Sequence, residues 1–198
     1  VAIIAALLQR ERTGEGQRIE IAQSENGVLM FVQSVIDFVL NGRTSSTSGN
    51  RGIHGEAPSG VYRCAGEDEW LAIDVCTDEE WGPLCRVMGR PDLATDARYT
   101  TAAARRDRMD ELDAMISAWT ATLPPREAML ALQAAGVAAG HVQSARQILE
   151  CPQLRARGFF RRITQRFTGT HDYPGFMFPM PESDLRIEPP TGLGEYNE

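Results

Sequence analysis

A mixed α/β fold is predicted for this chain of 198 residues by three features of its sequence. Helical patterns run over residues 1–12, 25–40 and 105–121. Two strand-like runs, Val61–Cys64 and Trp70–Cys76, flank the acidic turn Ala65-Gly66-Glu67-Asp68-Glu69 as in a hairpin. Residues 43–60 are rich in Gly, Ser, Thr and Asn and separate two differently patterned regions, which places a domain boundary there.

Taken in order, residues 1–12 read as a helix that stops at Thr13-Gly14 and Gly16, because glycine supplies the left-handed conformation favoured at helix ends. Arg18 to Gln23 alternates, with Ile19 and Ile21 on one face, and is expected as a short half-buried strand. Ser24 is the expected N-cap of a long apolar helix over 25–40, ended by Asn41-Gly42. After the hairpin, Thr77 and Glu80 form a capping box for a helix carrying Trp81, Leu84 and Val87-Met88, broken by Gly89-Arg90-Pro91. Met109, Leu112, Met115-Ile116 and Trp119 make an apolar stripe on a helix over 105–121. Pro124-Pro125 opens another to about Ala135, and Ser144 with Gln147 caps a further turn. Phe159–Phe167 reads as a strand, His171–Pro181 as irregular, and Asp184–Glu188 as a last strand.

A hydrophobic content of 42% and a mean hydropathy of −0.28 are those of a globular protein. No apolar run reaches the ~20 residues that span a bilayer, and the formal charge of −7 argues against nucleic-acid binding, which needs a basic surface. All basic side chains are Arg, and the mixed cluster Arg105, Arg106, Asp107, Arg108 reads as a solvated helix face. The four cysteines, Cys64, Cys76, Cys85 and Cys151, lack metal-ligand spacing. Buried free thiols in a reducing cytoplasm are the expectation. His141 is expected to be a satisfied structural residue, and Trp70, Trp81 and Trp119 to be core. Val1 starts inside an apolar helical pattern, and the sequence stops at Gly194-Glu195-Tyr196-Asn197-Glu198 with no closing element, from which a chain cut at both ends is expected.

The stretch from Ala5 to Ile19, AALLQRERTGEGQRI, resembles the helix–turn–strand of family III (CaiB/BaiF-type) CoA-transferases. Further pieces follow in that family's order. They are the loop with Gly52 and Gly55, Gly60-Val61-Tyr62-Arg63-Cys64, Trp70-Leu71-Ala72-Ile73, and Trp81-x-x-Leu84 with Gly89-Arg90-Pro91. The segment LQAAGVAAGH from Leu132 to His141 comes next. Leu154-x-x-Arg157-Gly158-Phe159-Phe160 follows Cys151-Pro152, and Pro189-Pro190-x-Gly192-Leu193-Gly194-Glu195 closes the series.

The resemblance implies a family III fold in a protein about twice as long, whose two copies interlock as a homodimer. Residues 1–42 would belong to a Rossmann-like large domain, 43–57 to an active-site loop and linker, 58–150 to a small α+β domain, and 151–198 to a return segment. The implied reaction moves CoA from an acyl-CoA to a carboxylic acid acceptor through an aspartyl mixed anhydride. Coenzyme A thioester is then substrate, with no permanently bound cofactor, no metal, and no nucleic-acid or membrane partner. The implied nucleophilic Asp lies upstream of Val1. Asp37 and Asp74 read instead as helix-face and strand residues, so no catalytic residue is assigned here. The implied substrate loop contains Gly52, His54, Gly55 and Glu56. It departs from the family's run of glycines at Ile53 and His54, which leaves loop closure and oxyanion stabilisation open. His54 is either near substrate or a surface histidine. Relatives of this fold racemise 2-methylacyl-CoA thioesters, and a non-catalytic partner subunit or degenerate module is a third reading.

Overall fold

The computed structural model describes residues 1–44, 47–52, 55–178, 182 and 186–192. The chain divides into two compact units, Val1–Gly49 and Asn50–Glu198, between two residues of the 43–57 stretch.

The first unit holds α1 (Ala2–Thr13), α2 (Gln23–Met30) and α3 (Val32–Asn41). Gly14 (φ 77°) and Gly42 (φ 66°) end α1 and α3 in the left-handed region. The single helix expected over 25–40 is two helices, because Phe31 leaves helical geometry (φ −111°, ψ 19°) and bonds back to Val28 instead of continuing the ladder. Ser24 is not the N-cap; helical geometry starts at Gln23 after Ala22, which puts Ser24 in the first turn. The strand expected from Arg18 to Gln23 is absent, since a strand needs a neighbour for its ladder and none of the described residues supplies one. Within the described residues no helical side chain of this unit is buried, and Val32, Ile36, Phe38, Val39 and Leu40 on α3 are exposed.

In the second unit, β1 (Ser59–Arg63), β2 (Trp70–Asp74) and β3 (Ala138–Val142) form an antiparallel sheet in that order. The acidic turn closes the β1–β2 hairpin: Cys64 N–H donates to Glu69 O at 2.8 Å, and Gly66 at φ 117° takes a backbone conformation closed to most side chains. Alternation sends Tyr62, Leu71, Ile73 and, just past β2, Val75 to one face. Helices α4 (Asp78–Val87), α6 (Met109–Thr120) and α7 (Pro125–Ala134) add Trp81, Leu84, Leu112, Ile116 and Leu132 to this core. At the start of α4 the Glu80 carboxylate reaches back to accept from the N–H of Cys76 at 2.7 Å and of Thr77 at 3.4 Å. The Trp81 indole N–H donates to Leu93 O at 3.1 Å, tying α4 to the 3-10 turn Pro91–Ala94.

The helix expected over 105–121 is also two, α5 (Ala102–Arg106) and α6, parted at Arg108 (φ −126°, ψ 26°). The charge cluster is not wholly solvated: Arg105 is completely buried. Beyond β3 come α8 (Ala145–Glu150), capped by Ser144 and Gln147, and α9 (Pro152–Ala156). Then β4 (Phe160–Gln165) pairs antiparallel with β5 (Gly169–Pro174). The reading of His171–Pro181 as irregular is corrected over His171–Pro174 by β5, while 175–178 are irregular and 179–181 lie outside the described residues. Gln165 Oε1 accepts from the N–H groups of Phe167 and Thr168 and turns the chain back to pair, and Asp172 on β5 pairs with Arg155 at 2.9 Å. Of the strand expected over 184–188, Asp184 and Leu185 lie outside the described residues and 186–188 are irregular. Cys64 and Cys85 are buried, Cys151 is half-buried, and Cys76 is exposed because it stands past the last paired residue of β2.

Candidate functional site

The candidate loop enters the second unit at Arg51 and leaves through Ala57, and both stems are held by side chains distant in sequence. Arg51 lays its guanidinium on α6: Nε donates to Asp113 Oδ2 at 2.9 Å, and Nη2 donates to the same oxygen at 2.6 Å and to Asp110 Oδ1 at 2.5 Å. The other oxygen of Asp113 accepts from the Tyr62 hydroxyl at 2.9 Å. Burial, and then the Asp113 charge, push the Tyr62 phenol up, so it remains a neutral donor.

The second stem is in the core. Ala57 is fully buried, and its carbonyl accepts from Arg105 Nε at 2.5 Å. The same guanidinium donates through Nη1 to Tyr99 O at 3.0 Å and through Nη2 to Asp78 Oδ1 at 2.8 Å, and it lies over the Trp81 ring. A guanidinium offers donors in a fixed fork and no acceptor, so carbonyl and carboxylate acceptors on separate segments can each engage one of its three nitrogens. Through it, the loop stem, the turn at Tyr99 and the start of α4 are joined at one side chain.

Between the stems, Gly52 and Gly55 each allow a close approach. A Cβ at Gly52 would sit 2.8 Å from Glu56 Oε2 and 2.9 Å from Ser59 Cβ, so the backbone folds against its own exit segment only with glycine there. Gly55 has φ 111°, and a Cβ would lie 3.2 Å from Arg106 Nη1. The structure thus brings Gly52 against Glu56, and Gly55 against Arg106. Glu56 is half-buried, and His54 lies outside the described residues. Glu56 is one of the carboxylates, after desolvation and Asp74, that hold the nearby Cys76 thiol above its ordinary pKa, so that sulfur is not primed as a nucleophile. No cluster of metal-ligating side chains occurs among the described residues.

A separate cavity of about 670 Å³ lies by the hairpin turn, lined by Glu69, Arg126, His141, Gln147 and Cys151 among others. His141 Nε2 lies 2.9 Å from Glu69 Oε2, while Gln147 Nε2 donates to Glu69 Oε1 at 2.9 Å. His141 is therefore partnered through Nε2, and Glu69 clasps β3 and the cap of α8 to the hairpin turn.

Sequence reasoning placed Arg51 at the start of the candidate loop without giving it a role, and did not single out Tyr62, Arg105, Asp110 or Asp113. One signal was present: Asp110 and Asp113, three apart on a helix, share a face and form a seat for a guanidinium. Nothing local marked Arg105 for burial.

The sequence profile of CoA-transferase family III matches residues 1–195. The chain belongs to this family. A probable CoA-transferase of Mycobacterium tuberculosis is 40% identical over 159 residues, which cover 80% of this chain and 19% of that protein. The succinyl-CoA–D-citramalate CoA-transferase of Chloroflexus aurantiacus is 35% identical, covering 85% of this chain and 40% of the relative. The formyl-CoA:oxalate CoA-transferase of Streptomyces coelicolor is 28% identical, with 99% and 51% covered. A CaiB/BaiF family protein from Brucella suis matches in structure with a TM-score of 0.82 at 24% identity, over 98% of this chain and 50% of that one. The fold is therefore that of family III, and the chain spans about half or less of these relatives' length. Among the described residues no helix is long and apolar enough to cross a membrane.

Proposed function

We propose that this chain is part of an enzyme that moves coenzyme A from an acyl-CoA to a free carboxylic acid. The supporting observation is that the family match runs over residues 1–195 and that the relatives aligned with it are named as CoA-transferases. In this reading a carboxylate attacks the thioester carbonyl, the C–S bond breaks, and CoA thiolate leaves behind a mixed anhydride. The thiolate then attacks the aspartyl carbonyl of the anhydride, releasing the donor acid as its carboxylate and leaving an aspartyl-CoA thioester. The acceptor carboxylate attacks that thioester and expels the thiolate, which attacks the acceptor's carbonyl in the second anhydride to give the new acyl-CoA and the free aspartate. Asp37 is an unsuitable nucleophile, since its carboxylate is engaged by Asn41 and Arg43, and these contacts hold its pKa below the usual range. The reacting aspartate is assigned, from the resemblance to family III, to sequence upstream of Val1.

The role of Gly52–Glu56 in this reading is to border the reacting thioester and exclude water from the anhydride. Residues 58–150 serve as the small domain, 1–42 and 151–198 as parts of the large one, and the working form is a cytoplasmic homodimer.

The test uses the full-length polypeptide that includes residues 1–198, with an acyl-CoA and hydroxylamine. An aspartyl hydroxamate upstream of Val1 is the expected product. Exchange of the α-proton of a 2-methylacyl-CoA, with neither hydroxamate nor CoA transfer, would replace the transferase with a racemase. Absence of both activities would leave a non-catalytic partner subunit.

A further inference from the structure

We infer that Arg51, seated on Asp110 and Asp113, is a positioning residue for the Gly52–Glu56 loop, an inference that rests on the proposed CoA-transferase reading. The two loop stems are held differently. Ala57 is buried and its carbonyl is fixed by the buried Arg105, so this end moves only with the core. At the other end the Arg51 side chain is 41% exposed and reaches Asp113 (25% exposed) and Asp110 (93% exposed). The contacts that tie the Arg51 side chain to α6 are those of one guanidinium fork. Asp113 is pre-set for it, because Tyr62 donates to its other oxygen and stops the carboxylate from rotating. The ordering cost that makes most exposed ion pairs weak is thereby reduced on the acceptor side. Gly52 follows Arg51 directly and lies against Glu56 and Ser59. The direction in which Arg51 meets α6 therefore bears on how Gly52 packs against Glu56 and Ser59.

The inference predicts a kinetic effect separable from folding. Arg51→Gln in the full-length polypeptide removes the charge and fork while leaving the core untouched, and Asp110→Asn weakens one of the contacts. Hydrogen exchange over the peptide spanning 50–58 should rise roughly threefold to tenfold in Arg51→Gln and less in Asp110→Asn. The melting temperature should stay close to that of the wild type. Loss of kcat/KM for CoA transfer should follow the same order, with Arg51→Lys partly restoring it because Lys keeps the charge but not the fork. Wild-type exchange in this peptide should also rise toward about 1 M salt, since the pair is open to screening. Unchanged exchange in Arg51→Gln would overturn the anchor. Faster exchange with unaltered kcat/KM would overturn its part in the reaction. Wild-type protein that transfers no CoA would remove the functional reading alone, and exchange would still decide whether Arg51 holds the loop.

Discussion

Replacing Arg105 by Met keeps most of the side-chain volume and removes every donor. Two acceptors it serves, the carbonyls of Ala57 and Tyr99, belong to residues with no exposed surface. Each would be left unsatisfied, at about 1–3 kcal/mol. The third partner, Asp78, has 47% of its side chain exposed and can turn to water, so its loss adds little. The two carbonyls together amount to about 2–6 kcal/mol, centred near 4. With a urea m-value of about 2 kcal/mol/M, the unfolding midpoint should fall by roughly 2 M. Arg106→Met, at the exposed neighbouring position, is the control and should stay within about 0.5 kcal/mol of wild type. Urea titration of the full-length polypeptide followed by tryptophan fluorescence measures both, since Trp81 lies against the Arg105 guanidinium. Equal midpoints for the two variants would refute the view that Arg105 joins the loop stem to the core.

Gly52→Ala places a methyl 2.8 Å from Glu56 Oε2 and 2.9 Å from Ser59 Cβ. It should lower kcat/KM for CoA transfer by at least about tenfold while costing about 1–3 kcal/mol of stability; full activity would mean that the loop does not border the substrate. The Cys85 thiol is pushed up from 9.0 to about 12 by burial. The folded protein then keeps a proton that the unfolded chain gives up, so stability is fully present below about pH 9 and is lost as pH rises toward about 12. Cys85→Ala should flatten the alkaline slope in a pH series of urea midpoints, and an identical slope would contradict the assignment. Glu69→Ala removes the acceptor shared by His141 and Gln147. Amide exchange over 144–150 should quicken about fivefold to tenfold in that variant, and unchanged exchange would show that the clasp does not hold α8.

Elements whose signals are local were legible in the sequence. The Thr77 and Ser144 caps, the stops at Gly14 and Gly42, and the Val61–Cys76 hairpin each depend on residues a few positions apart. What escaped depends on distant partners. Arg105 sits among charges that look solvated, and only the fold brings it to Ala57 and Asp78. The strand β5 ends in Tyr173-Pro174 and runs into a proline-rich aromatic stretch that suggests irregular chain, and its register against β4 decides otherwise. Ile19 and Ile21 alternate as a strand would, but alternation creates only a face and pairing needs a second strand. At the candidate site the glycines were visible, while the ion pairs that hold the loop span 59 and 62 positions of sequence.

The central claim, that this family III chain serves CoA transfer, is tested most directly with an isotopically labelled carboxylic acid and an unlabelled acyl-CoA. With the full-length polypeptide that includes residues 1–198, the label should appear in a new acyl-CoA as the donor acid is released in equal amount. Label remaining wholly in the free acid across a panel of donors and acceptors, while the thioester's α-proton exchanges with solvent, would contradict it.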